Sequence, residues 1–388
     1  MENTLRAEQA RVLDAAHWGA NAHLELQAAY LDEAGEFPRA SLLALGERGL
    51  LGVNVPKTYG GQDAGALGYS FAVRTLAQAC AGTTVAMMVT NMVAEAIVKF
   101  GSDAQCERYV RAICSGEYAA ASFSLSEPGS GSDAASLRTT ARREGDHYVL
   151  NGTKAWVTSG GHAGVYLVMA STDSHLKARG ISSFLIEPNT PGFTVTKPEK
   201  KMGLRCSTTT QLVFEDCVVP QEARLGDEGI GFRVAMNALD GGRIGVSAQA
   251  CGIAEAALNR IKTAARDHLA SGQKLSADCY GLLGELESRW HAAWALCVRA
   301  AQLKDAEKSV TKEAAMSKFV CTEMAQSVCE GALKLAARLG VGDTADLERY
   351  LRDVRVTRIY EGTSEVQRIV VAREVLKQAG TAGRGGLG

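Results

Sequence analysis

The 388-residue sequence has no surplus of either charge: 42 Lys and Arg stand against 43 Asp and Glu, a formal net charge of −1. Neither a nucleic-acid backbone nor an acidic membrane surface is an expected partner, because both need a basic footprint. The seven histidines form no HExxH or paired pattern, which leaves a metal site without support. None of the ten cysteines sits at CxxC spacing, and most lie in apolar, helical-looking surroundings. That excludes a disulfide framework or zinc cluster and predicts buried free thiols in a reducing compartment. The longest uncharged apolar run, Cys80 to Ala94, carries Thr and Asn and falls short of the roughly 18 residues of a membrane span. Met1-Glu2-Asn3-Thr4 is acidic and leads into an amphipathic stretch, which is neither a secretory signal nor an Arg-rich transit peptide. The expectation is a cytoplasmic protein without membrane insertion.

Apolar residues make up 46% and charged residues 22%, ordinary for a globular enzyme and enough to rule out disorder as the main state. The length exceeds what one core usually serves, so two or three domains are expected. Residues 1–120 carry apolar positions at helical spacing and read as an N-terminal helical domain. Within 121–225 the period shortens to strands around His147–Leu150, Val165–Met169, Ser183–Ile186 and Gln211–Phe214. Glu144-Gly145-Asp146 and Asn151-Gly152 supply turn signals there, and the segment reads as a small β domain. Six of the seven prolines fall between Pro56 and Pro220, and none follows Pro220. Residues 226–379 return to long helical patterns, and 380–388 form a Gly-rich, flexible tail.

Four fragments carry candidate chemistry. Gly129-Ser130-Gly131-Ser132-Asp133-Ala134 satisfies GxGxxA, yet Leu137-Arg138-Thr139-Thr140 follows in place of an opening helix. The dinucleotide fold is thereby disfavoured; an ordinary turn, or a small-residue loop that cradles phosphate, remains. Trp156 and Thr158 lie two apart on a strand and so share a face. An indole beside a hydroxyl suits a planar heteroaromatic ligand, while a lone Trp also suits a core. Tyr360-Glu361-Gly362-Thr363 interrupts two helical stretches, and Ser364 with Gln367 makes a capping-box pattern. Glu361 either stabilises a helix dipole or, facing an apolar pocket, acts as a general base with a raised pKa. In Asp240-Gly241-Gly242-Arg243-Ile244-Gly245, three glycines inside a helical pattern cost about 1 kcal/mol each, so a ligand or a packed helix approaches that backbone.

In this order and spacing the fragments resemble the acyl-CoA dehydrogenase family. The resemblance runs from about Leu50 to Val375. It rests on Val53-Asn54-Val55-Pro56 with Tyr59-Gly60-Gly61, Ser124-Leu125-Ser126-Glu127-Pro128-Gly129-Ser130-Gly131-Ser132-Asp133, and Leu150-Asn151-Gly152-Thr153-Lys154. Trp156-Val157-Thr158, Lys201-Met202-Gly203-Leu204-Arg205, Leu239-Asp240-Gly241-Gly242-Arg243 and Ile359-Tyr360-Glu361-Gly362-Thr363-Ser364-Glu365 complete it.

What the resemblance implies is an α+β fold: an N-terminal α-helical domain, a central β-barrel or sandwich domain and a C-terminal four-helix bundle. It implies FAD, an acyl-CoA or acyl-carrier-protein substrate, an electron-transfer flavoprotein or other acceptor, and a homotetramer. Phe123, Leu125, Ser126, Gly131, Ser132, Trp156, Val157, Thr158, Thr363, Ser364 and Glu365 match its cofactor-binding positions. Ser132, Asp240, Gly241, Gly242, Arg243 and Gly362 match substrate contacts, and Glu361 matches the α-proton base. The chain departs where relatives reach the FAD of a neighbouring subunit. His268 and Ser271 replace an Arg and a Phe, Cys279 replaces a Gln, and Ala337-Arg338 replaces a Gly pair. Poor FAD retention by a homo-oligomer is expected. The alternatives are an FAD-poor partner in a hetero-oligomer with a related chain, or a redirected flavin oxidase or carrier-protein-linked dehydrogenase.

Overall fold

The helical period of the N-terminal third folds into five principal helices in a computed structural model that describes residues 5–378 and Gly380. Met1–Thr4 and the 381–388 portion of the expected tail lie outside the described residues. The helices are α1 (Ala7–Gly19), α2 (Glu25–Ala34), α3 (Arg39–Glu47), α4 (Gly65–Ala79) and α5 (Ala81–Phe100), then the short α6 (Asp103–Gln105) and α7 (Arg111–Cys114). Cys80, extended at φ −150°, divides what would otherwise be one helix into α4 and α5. α5 runs past the uncharged stretch to include Glu95 and Lys99. By length and composition it is apolar enough to cross a membrane, and 89% of that apolar window is buried inside the protein. Ser102 caps α6 reciprocally with Gln105. The Gln105 amide then donates to the Glu222 and Arg224 carbonyls at 2.8 and 3.0 Å, which ties the helices to the end of the following sheet.

Seven strands follow: β1 (Ala121–Ser124), β2 (Thr140–Glu144), β3 (His147–Thr158), β4 (Val165–Ser171), β5 (Ile181–Ile186), β6 (Phe193–Val195) and β7 (Thr209–Pro220). They form one sheet in the order β1-β4-β2-β3-β7-β6, with β5 also on β4. β4 thus has three partners and meets β2 through a single pair, Thr140 with Ser171. This curls the sheet around its own core, where Tyr148, Tyr166, Phe184, Leu212 and Phe214 are buried. The expected barrel or sandwich is therefore a single curled sheet. Glu144-Gly145-Asp146 makes the β2–β3 hairpin turn, with Gly145 at φ 63°. Asn151-Gly152 does not turn the chain; it lies inside β3 at a bulge against β7. Gly152, at φ 144°, leaves room for Thr139, which a Cβ would meet at 2.6–2.9 Å. Asn151 exchanges hydrogen bonds with Asp216 across the strands. A turn-type dipeptide is used here to let two segments approach.

The C-terminal part is helical: α8 (Gly231–Ala270), α9 (Ala277–Asp305), α10 (Thr311–Leu339), α11 (Ala345–Val354) and α12 (Ser364–Gln378). The chain forms two compact units, residues 1–242 and 243–388, and α8 crosses the boundary. Within the second unit, small residues let the helices of the bundle approach closely. Trp290 on α9 donates to the Cys251 carbonyl of α8 at 2.9 Å, and the Cys321 thiol of α10 reaches the Ala293 carbonyl of α9 at 3.3 Å. All ten cysteines are buried and unbridged.

Candidate functional site

Phe123, Leu125 and Ser126 lie at the end of β1 and on the loop that leaves it, beside β3. The Ser122 hydroxyl donates to the Thr158 carbonyl at 2.6 Å, and the Ala155 N–H donates to the Ser126 carbonyl at 2.9 Å. Across β3 and β7 the register passes from Lys154–Leu212 to Val157–Thr210, so Ala155 and Trp156 together oppose Gln211. This bulge places Trp156 at φ 59° with its side chain 66% exposed, whereas Val157 is buried in the sheet core. Thr158 is part-buried. Close by, the buried hydroxyls of Ser159, Thr208 and Thr210 have no hydrogen-bond partner among the described residues, and neither has that of Ser124 at the end of β1. Gly131 and Ser132 are exposed, and a Cβ at Gly129 or Gly131 would meet nothing. An outward indole, unspent hydroxyls and an open glycine loop fit a flat heteroaromatic group carrying phosphates. The loop leads into only a three-residue 3-10 turn, Ala134–Ser136, so no dinucleotide-fold helix opens there.

A buried ion pair holds this loop in place. Lys154, on β3 and fully buried, donates to Glu127 at 2.8 Å and to the Leu125 carbonyl at 3.2 Å. Glu127 also accepts from the backbone N–H groups of Arg138 and Thr139 at 2.6 and 2.9 Å. Burial pushes Lys154 down to about 8 against the pull of Glu127. For Glu127 burial opposes ionisation, but Lys154 and the two N–H donors outweigh it and hold the carboxyl below its ordinary value. Both residues lie within the motifs that carry the family resemblance, yet the sequence assigns neither a role. An inward-facing lysine on an alternating strand was the available signal.

Asp240, Gly241 and Gly242 lie on α8, which stays helical through the glycines. Gly241 and Gly242 border a space of about 10 Å³, barely one water, together with Ala238 on α8 and Tyr69, Met92 and Glu95 on α4 and α5. Phe123 packs against Val89, Met92 and Ala238. The candidate cofactor residues of β1 therefore adjoin the candidate substrate residues of α8.

The second unit carries the other cluster. Glu361 and Gly362 both adopt left-handed backbone conformations, φ 55° and 93°. Gln367 on α12 donates to their carbonyls at 3.1 and 2.9 Å, and Lys318 on α10 donates to the Gly362 carbonyl at 2.6 Å. Glu361 Oε2 is shut off from solvent with no hydrogen-bond partner among the described residues. Burial raises the Glu361 carboxyl to about 7, with Lys318 and Arg243 opposing the rise. Arg243 itself is buried on α8. This environment is that of a base, beyond what a solvated dipole cap requires.

Some side chains expected at the cofactor turn inward. Leu125, Val157 and Ser364 are buried. The expected Ser364–Gln367 capping box is absent. Ser364 is the first helical residue and donates to Glu323 at 2.7 Å, while the Thr363 hydroxyl caps α12 by accepting from the Val366 N–H at 3.3 Å. Glu365 is exposed, its carboxyl lowered by its own backbone N–H and the Thr363 hydroxyl. Of the departures, Ser271, Ala337 and Arg338 are exposed, His268 is part-buried and Cys279 is buried near the start of α9.

Matches to known proteins identify the class as a flavoprotein dehydrogenase. The N-terminal, middle and C-terminal acyl-CoA dehydrogenase domain profiles match residues 6–117, 122–217 and 229–376. The chain is 44% identical over 354 residues to the short-chain specific acyl-CoA dehydrogenase, mitochondrial, of Bos taurus, covering 90% of this chain and 85% of that one. Butyryl-CoA dehydrogenase from Megasphaera elsdenii superposes with a TM-score of 0.90 at 36% identity, covering 96% and 99% of the two chains. A structure described as the electron transferring flavoprotein of Acidaminococcus fermentans matches with a TM-score of 0.92 at 37% identity, covering 97% and 100%. The chain belongs to the acyl-CoA dehydrogenase family, FAD-dependent oxidoreductases that act on a CH–CH bond. These relatives favour the dehydrogenase over an FAD-poor partner subunit or a redirected oxidase.

Proposed function

We propose that the chain desaturates a short acyl-CoA to its trans-2-enoyl-CoA, with Glu361 as the α-proton base. The observation that carries this reading is the solvent-shielded Oε2 of Glu361, which has no hydrogen-bond partner among the described residues. A thioester α-proton is weakly acidic, so its removal needs a carboxylate whose proton affinity has been raised and whose position is fixed. Burial provides the first condition, and the bonds from Gln367 and Lys318 to the Glu361–Gly362 turn provide the second.

When bound, FAD supplies the acceptor for the β-hydride. Trp156 and Thr158 would flank its ring, with Phe123, Leu125, Ser126 and Val157 lining it. Gly131 and Ser132 would receive its phosphates, and Thr363, Ser364 and Glu365 complete the cofactor set. Ser132, Asp240, Gly241, Gly242, Arg243 and Gly362 would contact the acyl-CoA. Relatives named for short-chain and butyryl substrates support a short acyl group. The reading extends to an electron-transferring flavoprotein as acceptor, to a homotetramer and to the cytoplasm. The first is supported by the Acidaminococcus match and the last by ten buried free thiols.

Anaerobic reduction of the bound flavin by butyryl-CoA tests the proposal. Glu361→Gln should still bind acyl-CoA and FAD but reduce about 10²–10⁴-fold more slowly. Near-normal bleaching would remove Glu361 from the role.

A further inference from the structure

Lys318 sits about two turns into α10 with its side chain fully buried, an expensive place for an ammonium. Its Nζ reaches out of the helix to the Gly362 carbonyl at 2.6 Å. A neutral donor would suffice for that bond; Gln367 already provides one to the same oxygen at 2.9 Å. What only a lysine or arginine adds is charge, which acts electrostatically on Glu361, whose Oε2 has no hydrogen-bond partner among the described residues.

The other charges around the pair come from every neighbouring element. Arg243 on α8 faces both Lys318 and Glu361, and Tyr360 on the same loop senses Glu361. Glu323 on α10 is engaged by Arg358 at 2.8 Å and by Ser364, while Glu365 on α12 is exposed. Among the described residues, Glu361 is thus the carboxylate near Lys318 that has no ion pair and keeps one oxygen out of solvent, and after burial it is the largest influence on Lys318.

We propose that Lys318 is a positioning residue for the base: its ammonium holds the left-handed Glu361–Gly362 turn by the Gly362 carbonyl and supplies the positive charge against which Glu361 ionises. The inference rests on the reading of Glu361 as base. Its consequence has a definite sign. Burial raises Glu361 to about 7 although Lys318 opposes the rise, so removing the charge while keeping the donor raises it further. The carboxylate fraction at pH 7 then falls.

The test compares Lys318→Gln, Lys318→Met and Lys318→Arg with the wild type, each as FAD-loaded protein. The pH dependence of anaerobic flavin reduction by butyryl-CoA gives one midpoint. The Glu361 carboxyl stretch in infrared difference spectra against Glu361→Gln gives a second, independent of turnover. Lys318→Gln and Lys318→Met should move both midpoints up by about one pH unit or more, so that reduction slows roughly fivefold at pH 7 and recovers by pH 9. Lys318→Arg should restore the wild-type midpoint. A rate loss equal at all pH values, with unmoved midpoints, would make Lys318 merely structural and overturn the proposal. So would a Lys318→Arg midpoint displaced as far as that of Lys318→Gln. If the apolar variant does not fold, Lys318→Gln carries the same comparison, since it retains a donor and drops only the charge. Failure of the base reading shows separately, as Glu361→Gln protein that still reduces its flavin.

Discussion

Glu361 occupies a strained and poorly solvated position that only its proposed chemistry rewards. A non-glycine residue at φ 55° costs on the order of 1 kcal/mol, and Oε2 of the carboxylate lacks a hydrogen-bond partner among the described residues. Its carboxyl rises from 4.5 to about 7 on folding, so the native state holds the proton more tightly than the unfolded chain does. The sign follows from linkage: as pH climbs from 4.5 to 7 the unfolded state gains from ionising first, and the native state loses stability. Glu361→Gln cannot ionise and should therefore be more stable than wild type at pH 8, on the order of 1–3 kcal/mol, with little difference at pH 4.5. Paired denaturant titrations at the two pH values measure this. An equal effect at both would show that Glu361 ionises freely in the fold. Trp156 makes the complementary case. Its ring is exposed, so Trp156→Ala should barely alter the unfolding midpoint of the FAD-free protein. Loss of a stacking surface should instead weaken FAD binding by about 1–3 kcal/mol. Unchanged FAD affinity would remove the ring from the cofactor site.

At the scale of elements, β3 does three separate jobs along twelve residues. Tyr148, Leu150 and Val157 build the core, the bulge at Ala155–Trp156 turns the indole outward, and Lys154 fastens the Leu125–Glu127 loop. Because that loop carries Ser126 and leads to Gly131 and Ser132, the ion pair sets the geometry of the candidate phosphate cradle. Lys154→Met should cost about 3–5 kcal/mol, because it strands the Glu127 carboxylate in the interior. It should also lower FAD occupancy beyond what unfolding explains, read as the FAD-to-protein ratio under native conditions. Stability within 1 kcal/mol of wild type would mean that the Arg138 and Thr139 N–H groups suffice to hold Glu127 (roughly the worth of two charged hydrogen bonds). α10 plays the corresponding part in the second unit. Lys318 and Glu323, five residues apart, reach the Gly362 carbonyl and the Ser364 hydroxyl on either side of the α12 cap.

For the whole molecule, the decisive question is how well the proposed homo-oligomer would keep its cofactor. Ser271, Ala337 and Arg338 lie exposed in the second unit, where the family resemblance places contacts to a neighbour's FAD. An arginine bonded to a phosphate is worth about 1.5–3 kcal/mol, and where the family resemblance expects that arginine this chain has His268. The expected outcome is an assembled enzyme that loses FAD on extended dialysis and regains flavin absorbance and activity when FAD is added. Sedimentation with dual-wavelength detection measures both assembly and occupancy. Stoichiometric FAD after dialysis would show that a local cation such as Arg338 has taken over the arginine's role.

The sequence by itself determined the α+β layout, the family, and the identity of Glu361 as candidate base. Each of these depends on local pattern: helical or strand period, glycine placement, and short motifs in fixed order. It also carried the hairpin at Gly145, because a two-residue turn is a local decision. It misread Asn151-Gly152 and the Ser364–Gln367 box, where the same residue types answer to distant partners. Asn151 pairs with Asp216, Gly152 admits Thr139, and Ser364 turns to Glu323. Only the tertiary structure decided which flagged side chains point out. Trp156 and Val157 are neighbours in every motif, and a single inserted residue in the β3–β7 register exposes one and buries the other. The charges behind the site were likewise illegible in sequence. Lys154 finds Glu127 across 27 residues and Lys318 finds Gly362 across 44, and a buried charge becomes functional only when folding removes the water that would otherwise screen it.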